Sequence, residues 1–260
     1  MTTGPRITFS HRFKECPDLT ILQARPNFSD YPLKERQLIQ TASKVYYPTH
    51  LYVDLFITMG KAIFPSRETY VYSGDKIKQT ALFQFLGIAH PHTRIYFGKQ
   101  IKKIRTDFAF PFIAKIPRGS SMGRGVFLIH NEEGLEKYLQ KTSVAYIQEY
   151  LDLKRDLRVI LINHQVILSY WKIAPKGEFR TNLAQGASMD FSQIPPEALA
   201  FAQSVTQRCN FEDVGLDLCH TPDKGWMILE ANMNYGLQGL TERGLAIRQV
   251  LRDLVIQGKI

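Results

Sequence analysis

Two acids and an amide, Asp217, Glu230 and Asn232, are the side chains of this sequence best placed to do chemistry. Asp217 sits inside the apolar run VGLDLC, between Leu216 and Leu218, and Glu230 follows the apolar run WMIL. A carboxylate in such a run is unfavourable unless it is paired or bound to a metal. The turn formers Thr221, Pro222, Asp223 and Gly225 separate the runs, so a hairpin with Asp217 beside Glu230 is expected. Glu230 and Asn232 are two residues apart and therefore share a strand face. An all-oxygen set suits Mg²⁺ or Mn²⁺ rather than zinc, and magnesium held by few protein groups completes its shell with water and phosphate oxygens. The alternative is a hairpin whose acids are paired to lysine or arginine.

A second stretch carries chemistry of the opposite sign. Lys115 lies inside the strand-like run PFIAKI, where an ammonium needs an anionic partner. The loop RGSSMGRG follows, and then the strand-like VFLIH. A glycine- and serine-rich loop between strands presents backbone N–H groups to phosphate oxygens without side chains in the way. It lacks the Gly-Lys-Ser/Thr of a Walker A loop and opens no helix, so it is not a dinucleotide fingerprint either.

The elements that must position these groups follow from periodicity and punctuation. Residues 1 to 73 read as a small α/β unit, with extended pieces at ITFS, LTILQAR and KVYYPT and a helix over PLKERQLIQTAS. Leu51 to Met59 is apolar and fits a helix or a strand. Asp75 to Leu86 reads as a helix closed by Gly87. The next stretch, to Phe110, reads as a polar connection carrying Arg94, Lys99, Lys102, Lys103 and Arg105, taken as a solvated face rather than a nucleic-acid surface. Asn131 caps a helix, VAYIQEYL is a strand, and LRVILIN with VILSYWKIA forms a hairpin about Asn163 and His164. A proline-opened helix over PPEALAFAQSVTQRC precedes the acidic hairpin, and a helix from about Leu245 to Ile256 closes the chain.

Composition sets the limits. At 260 residues, 44% hydrophobic and 22% charged, the chain is long enough for a sizeable core. No apolar run approaches the ~18 residues of a membrane span. The first residues carry no signal-peptide core, so a cytoplasmic protein without membrane contact is expected. Cys16, Cys209 and Cys219 have no paired spacing, which suggests neither disulfides nor zinc. The net charge of +9 favours anionic partners without choosing among them.

Taken in order, the motifs are informative together. Lys115 and the glycine loop precede Gln148-Glu149-Tyr150-Leu151 and Arg155-Asp156-Leu157-Arg158; then come Gly177-Glu178-Phe179-Arg180-Thr181-Asn182-Leu183, Asp217, and Glu230-Ala231-Asn232. This order resembles the ATP-grasp superfamily, in particular the RimK-like ATP-dependent carboxylate–amine ligases, over about residues 74 to 245. The resemblance implies an α/β (α+β) fold in which two subdomains, 74–143 and 144–260, grip ATP, with a short domain over 1–73 in front. It implies that Lys76 and Lys115 contact ATP phosphates and that the loop Gly119 to Gly125, with Ser120, Ser121 and Gly123, folds over them. Gln148, Glu149, Tyr150 and Leu151 would border the adenine, and Asp156, Arg180, Thr181 and Asn182 would lie near the nucleotide. Asp217, Glu230 and Asn232 would hold Mg²⁺ (or Mn²⁺). Arg158 or Arg180 would stabilise a tetrahedral intermediate. The implied reaction activates a small-molecule or peptide carboxylate as an acyl phosphate and joins it to an amine, releasing ADP; neither a monomer nor a homo-oligomer is singled out.

The sequence departs from that family on the substrate side. Where glutamate ligases of the group carry two arginines, this chain has Lys172-Ile173; where they have Asn-Leu-His-Arg-Gly-Gly, it has Asn182-Leu183-Ala184-Gln185-Gly186-Ala187. Cations are thus absent at Ile173 and Gln185, which speaks against glutamate addition to a ribosomal protein and for a more aromatic pocket containing Tyr170, Trp171 and Tyr235. Two other readings stand beside the ligase: phosphoryl transfer without amide formation, and a nucleotide- or RNA-binding module without turnover.

Overall fold

The computed structural model describes residues 4–14, 16–119, 124–178, 181, 183 and 186–260. Its first unit is a parallel four-stranded sheet in the order β2-β1-β3-β4, built from β1 (Arg6–Thr8), β2 (Thr20–Ile21), β3 (Lys44–Tyr46) and β4 (Ala62–Phe64). Helices α1 (Leu33–Thr41), α2 (Thr49–Thr58) and α3 (Arg67–Val71) connect and follow the strands. The ambiguous apolar run from Leu51 is helical, because Tyr52, Val53 and Phe56 fall on one face that the sheet buries. Ile7, Leu22, Ile39, Val45 and Phe56 form the core of this unit.

Helix α4 (Lys76–Phe85) occupies the expected segment. Asp75 caps it by accepting the Lys78 N–H at 3.0 Å, and Gly87 follows at φ +60°. A second sheet then forms from β5 (Thr93–Phe97), β6 (Phe112–Lys115), β7 (Val126–Ile129) and β8 (Val144–Glu149), in the antiparallel order β5-β8-β6-β7. The short α5 (Ile104–Asp107) and α6 (Glu132–Leu139) cover it, burying Tyr96, Ile104, Phe112, Leu135, Tyr138 and Ile147. Two expectations change here. The stretch read as a polar connection contains edge strand β5, disguised by Arg94, which pairs with Asp107 at 3.0 Å. Strand β8 belongs to this sheet, so the sheet extends to Glu149, beyond the boundary at 143.

The third sheet has five antiparallel strands in the order β11-β10-β9-β12-β13. They are β9 (Arg155–Ile162), β10 (Gln165–Ile173), β11 (Ser188–Asp190), β12 (Asp213–Thr221) and β13 (Gly225–Asn232). Asn163 and His164 take positive φ at the β9–β10 turn, the geometry a two-residue hairpin requires. Helix α7 (Pro196–Cys209) packs Ala198, Ala202 and Val205 against Val159, Leu161, Val214 and Leu216. The short α8 (Gln238–Glu242) precedes α9 (Ile247–Ile256). Helix α9 inserts Leu251, Leu254 and Val255 among Phe13, Tyr46 and Phe64 of the first unit and Ile162 at the end of β9, tying the end of the chain to both. Among the described residues no helix is long and apolar enough to cross a membrane.

Candidate active site

The period of two along each strand sorts the large sheet into an apolar and a charged face. Leu157, Val159, Trp171, Leu216 and Leu218 lie in the core beneath α7. Asp156 and Arg158 on β9, Tyr170 and Lys172 on β10, Asp217 on β12, and Glu230 and Asn232 on β13 instead line a cavity of about 740 Å³ between the two antiparallel sheets. Register brings them together: Arg158 pairs with both Tyr170 and Asp217, Asp156 with Lys172, and Asp217 with Glu230.

In this arrangement the acids are neutralised by cations, as the alternative reading of the hairpin required. Arg158 grips Asp217 with two parallel N–H donors, Nε at 2.6 Å and Nη2 at 2.9 Å. Lys172 Nζ lies 2.8 Å from Asp217 and 2.9 Å from Asp156. The Thr181 hydroxyl donates to the other oxygen of Asp156. Lys76, in the first turn of α4, reaches across to Glu230 at 2.8 Å. Burial pushes the Asp217 carboxyl up, but Arg158 and Lys172 together hold it well below the usual carboxylate range. Asp156 goes the other way: burial raises it, and Lys172 offsets only part of that because Asp217 adds repulsion. Burial also lowers the Lys172 ammonium, yet Asp156 and Asp217 leave it raised overall.

Lys115 faces this ladder from the small sheet, at the end of β6 and 7% exposed. Burial lowers its ammonium to about 8, Glu230 pulling upward and Lys76 opposing. Tyr138 donates its hydroxyl to the Lys115 carbonyl at 2.7 Å, which fixes the strand end from which the side chain departs. Above the charges the cavity becomes an apolar slot, with Ile113 and Val126 on one wall and Leu153 and Leu229 on the other. Gln148, Glu149, Tyr150 and Leu151 border it. Gln148 is tied back to Thr93 at 2.9 Å, and Glu149 accepts the His92 N–H at 2.6 Å while pairing with Lys224 at 2.5 Å.

The ligand set proposed for a divalent cation passes a simple test of donor chemistry. Asn232 donates its Nδ2 to Asp217 Oδ2 at 3.1 Å, so the amide and carboxylate are side by side and the Asn232 carbonyl oxygen remains an acceptor. With Glu230 paired to Asp217 across the hairpin, three oxygen-bearing groups converge on one face.

The remaining candidates fall in two places. Gly119 has φ +67°, which its lack of a side chain permits, and Gly125 accepts the Ile116 N–H at 2.8 Å; neither lines the cavity. The root of their loop is anchored by Arg118, whose Nε donates to Asp75 at 2.8 Å, so the loop base and the α4 cap share one carboxylate. Ser120, Ser121, Gly123, Arg180, Asn182 and Gln185 lie outside the described residues. One reading of the aromatic pocket is corrected. Trp171 faces the core, with the Arg155 guanidinium 3.9 Å above its ring, and Ile173 packs against the same core. Only Lys172 of the Lys172-Ile173 pair faces the cavity, so the cleft side of that position keeps its cation. Sequence reasoning named Lys172 only as a departure and missed its ion pairs; its signal was the same as that of Lys115, a cation inside an apolar strand.

Two antiparallel sheets closing on a slot with a charged floor define an ATP-grasp fold. The structure superposes on a RimK domain protein from Sphaerobacter thermophilus with a TM-score of 0.69 at 12% identity, covering 95% of this chain and 98% of the other. It superposes on D-alanine–D-alanine ligase from Bacillus anthracis with a TM-score of 0.63 at 12% identity, covering 92% and 85%. The chain belongs to the RimK-like ATP-grasp domain family, whose model matches residues 73–254. It is 28% identical over 213 residues to a protein of Parasynechococcus marenigrum named probable alpha-L-glutamate ligase, covering 76% of this chain and 45% of that protein. A protein of the same name from Methanococcoides burtonii is 30% identical over 190 residues, covering 68% and 62%. The chain thus spans about half to under two thirds of the length of these relatives.

Proposed function

We infer that this protein is an ADP-forming ligase that activates a carboxylate with ATP and joins it to an amine. The observation that carries the reading is the charged floor of the cleft: Lys76, Lys115, Arg158 and Lys172 gathered around Asp156, Asp217 and Glu230, in one cavity with the apolar lining of Ile113, Val126, Leu153 and Leu229. The slot would take the base, with the Glu149–Leu151 backbone along its edge. Lys76 and Lys115 would hold terminal phosphate oxygens as compact point charges. Asp217, Glu230 and Asn232 would hold Mg²⁺, which when bound offsets the charge of those phosphates. The substrate carboxylate attacks the γ-phosphorus and ADP leaves; the amine then adds to the acyl carbon and inorganic phosphate leaves. Arg158, aimed by its two bonds to Asp217, is the described cation best placed to face charge developing on the acyl oxygen. The loop from Gly119 to Gly125 would keep water from the acyl phosphate.

The relatives' names make L-glutamate the first substrate to try. Lys172 on the cleft face supports keeping it, although the sequence at Ile173 and Gln185 departs from that group. The test has two stages. Melting temperature is measured with and without MgATP in wild type and Glu230→Gln. ADP release is then followed with L-glutamate and a panel of peptide and small-molecule carboxylates. A Mg-dependent rise in wild type that shrinks in the variant, followed by carboxylate- and amine-dependent ADP release, supports the ligase. A phosphorylated product without amide would favour phosphoryl transfer, and no melting shift in either protein would sink the nucleotide site.

A further inference from the structure

We propose that Tyr235 is a positioning residue for the substrate end of the cleft, and that the N-terminal unit holds it there through Asp213. This rests on the ligase reading. Tyr235 lines the cavity together with Tyr170, Leu183 and Asn234, and lies beside the same glycine as Arg158, the cation that faces the acyl group in the ligase reading. Its ring root lies directly on strand β12. A Cβ built on Gly215 would come within 2.8 Å of the Tyr235 Cβ and 3.2 Å of an Arg158 guanidinium nitrogen. Tyr235 and the Arg158 guanidinium therefore both crowd the bare backbone of Gly215, on the strand that carries Asp217.

The far end of the ring is held by Asp213, the first residue of β12, and that carboxylate is in turn held from outside the grasp sheets. The Tyr235 hydroxyl donates to Asp213 Oδ1 at 2.8 Å. The Tyr47 hydroxyl donates to Asp213 Oδ2 at 2.6 Å, and an Arg12 guanidinium nitrogen lies 3.6 Å from that same oxygen. Asp213 is 2% exposed, so these groups replace its hydration. Arg12 and Tyr47 belong to the first unit, next to β1 and β3. Neither lines the cavity, so both act only through the carboxylate.

The hydrogen count decides how Tyr235 works. A phenol has one proton, and Tyr235 spends it on Asp213. Toward the cleft the residue offers a ring face and acceptor lone pairs, not a proton. It thus shapes and orients what lies beside Arg158 and is no general acid. Sequence had marked Tyr235 only as one aromatic among several; the coupling needs Asp213, Tyr47 and Arg12, which are far apart in the chain.

The experiment compares wild type with Tyr47→Phe, Arg12→Gln and Tyr235→Phe. Hydrogen exchange of 233–238 is measured by mass spectrometry, alongside the MgATP melting shift and the KM values for ATP and L-glutamate in ADP release with a tetrapeptide library as carboxylate. Exchange at 233–238 is expected to quicken about tenfold in Tyr47→Phe and Arg12→Gln, with 144–149 unchanged. The KM for L-glutamate should rise about fivefold in Tyr47→Phe and Tyr235→Phe, the scale of one lost buried hydrogen bond, with the KM for ATP and the MgATP shift retained. Unchanged exchange in both N-terminal variants overturns the coupling. Faster exchange with an unchanged KM makes Tyr235 a strut and overturns the positioning. If wild type shifts with MgATP but releases no ADP with L-glutamate, the substrate reading fails by itself, and the exchange result decides this proposal.

Discussion

Lys76 and Glu230 meet at 2.8 Å, linking the first turn of α4 to β13 at the charged floor of the cleft. The same two side chains are the ones expected at the phosphates and the metal. Replacing Glu230 by glutamine keeps a hydrogen-bond acceptor for Lys76 but removes a charge. The free protein should lose less than about 1 kcal/mol, since the pair is partly exposed and screened. The MgATP-dependent stabilisation, about 2.7 kcal/mol at a hundredfold excess over Kd in wild type, should fall sharply. Melting curves at fixed ligand check both.

Arg158 and Asp217 form the most tightly built pair of the site, doubly bonded, with Asp217 buried and Arg158 mostly so. Arg158→Ala leaves Asp217 with Lys172 as its one cation, beside the Asn232 amide. Breaking a buried pair from one side costs about 3–5 kcal/mol, which for a chain of this size lowers the melting midpoint by roughly 10 °C. Thermal unfolding of Arg158→Ala beside Arg158→Lys measures it; the lysine variant should recover part of the loss but not the second bond.

Lys115 makes the site sensitive to alkali. Its ammonium is lowered by burial to about 8, below the usual lysine value of 10.5. The unfolded chain therefore holds more protons than the folded one between those values, and this residue's contribution to stability rises with pH across that window. Ligand binding moves oppositely, because a neutral amine no longer attracts phosphate. The MgATP melting shift should shrink as pH rises through about 8, and Lys115→Arg should keep it to higher pH. Melting with and without MgATP from pH 7 to pH 9.5 reads both slopes.

Gly239 sits against the ring of Tyr170. A Cβ there would come 2.4 Å from one ring carbon and 2.8 Å from the next, too close without movement. Gly239→Ala should destabilise by about 1–3 kcal/mol through overpacking and push Tyr170 toward the cavity it lines. Adding Tyr170→Leu should return part of that loss. A double-mutant cycle from urea unfolding gives the coupling, and additive effects would contradict the contact.

The charged hairpin was legible because an acid within an apolar run admits few explanations, and β12 and β13 indeed set Asp217 against Glu230. The strand lysine, the capped helix at Asp75 and the β9–β10 hairpin were legible for the same local reason. What was hidden is decided by which face a strand turns. Of the aromatics expected in the pocket, alternation keeps Tyr170 there and turns Trp171 into the core, while Lys172 joins the cleft face. Strand β5 was masked by Arg94 and the basic run after it, and the membership of β8 is fixed by pairing with strands distant in sequence. The ion-pair partners of Asp217 come from β9 and β10, so no window around Asp217 contains them.

The ladder of ion pairs on the cleft floor also changes what kind of event binding is. Asp217 and Glu230 already hold cationic partners, and Arg158, Lys172 and Lys76 already hold anionic ones. A polyanion arriving with its own metal would find these five charges already partnered. The carboxylates would trade ammonium and guanidinium for the metal, and the released side chains would take up the polyanion's oxygens. In chemical terms that is a metathesis of two salts, with contacts exchanged rather than created. Its free energy is set by the difference between two sets of partners, so modest changes in metal or salt should move it strongly.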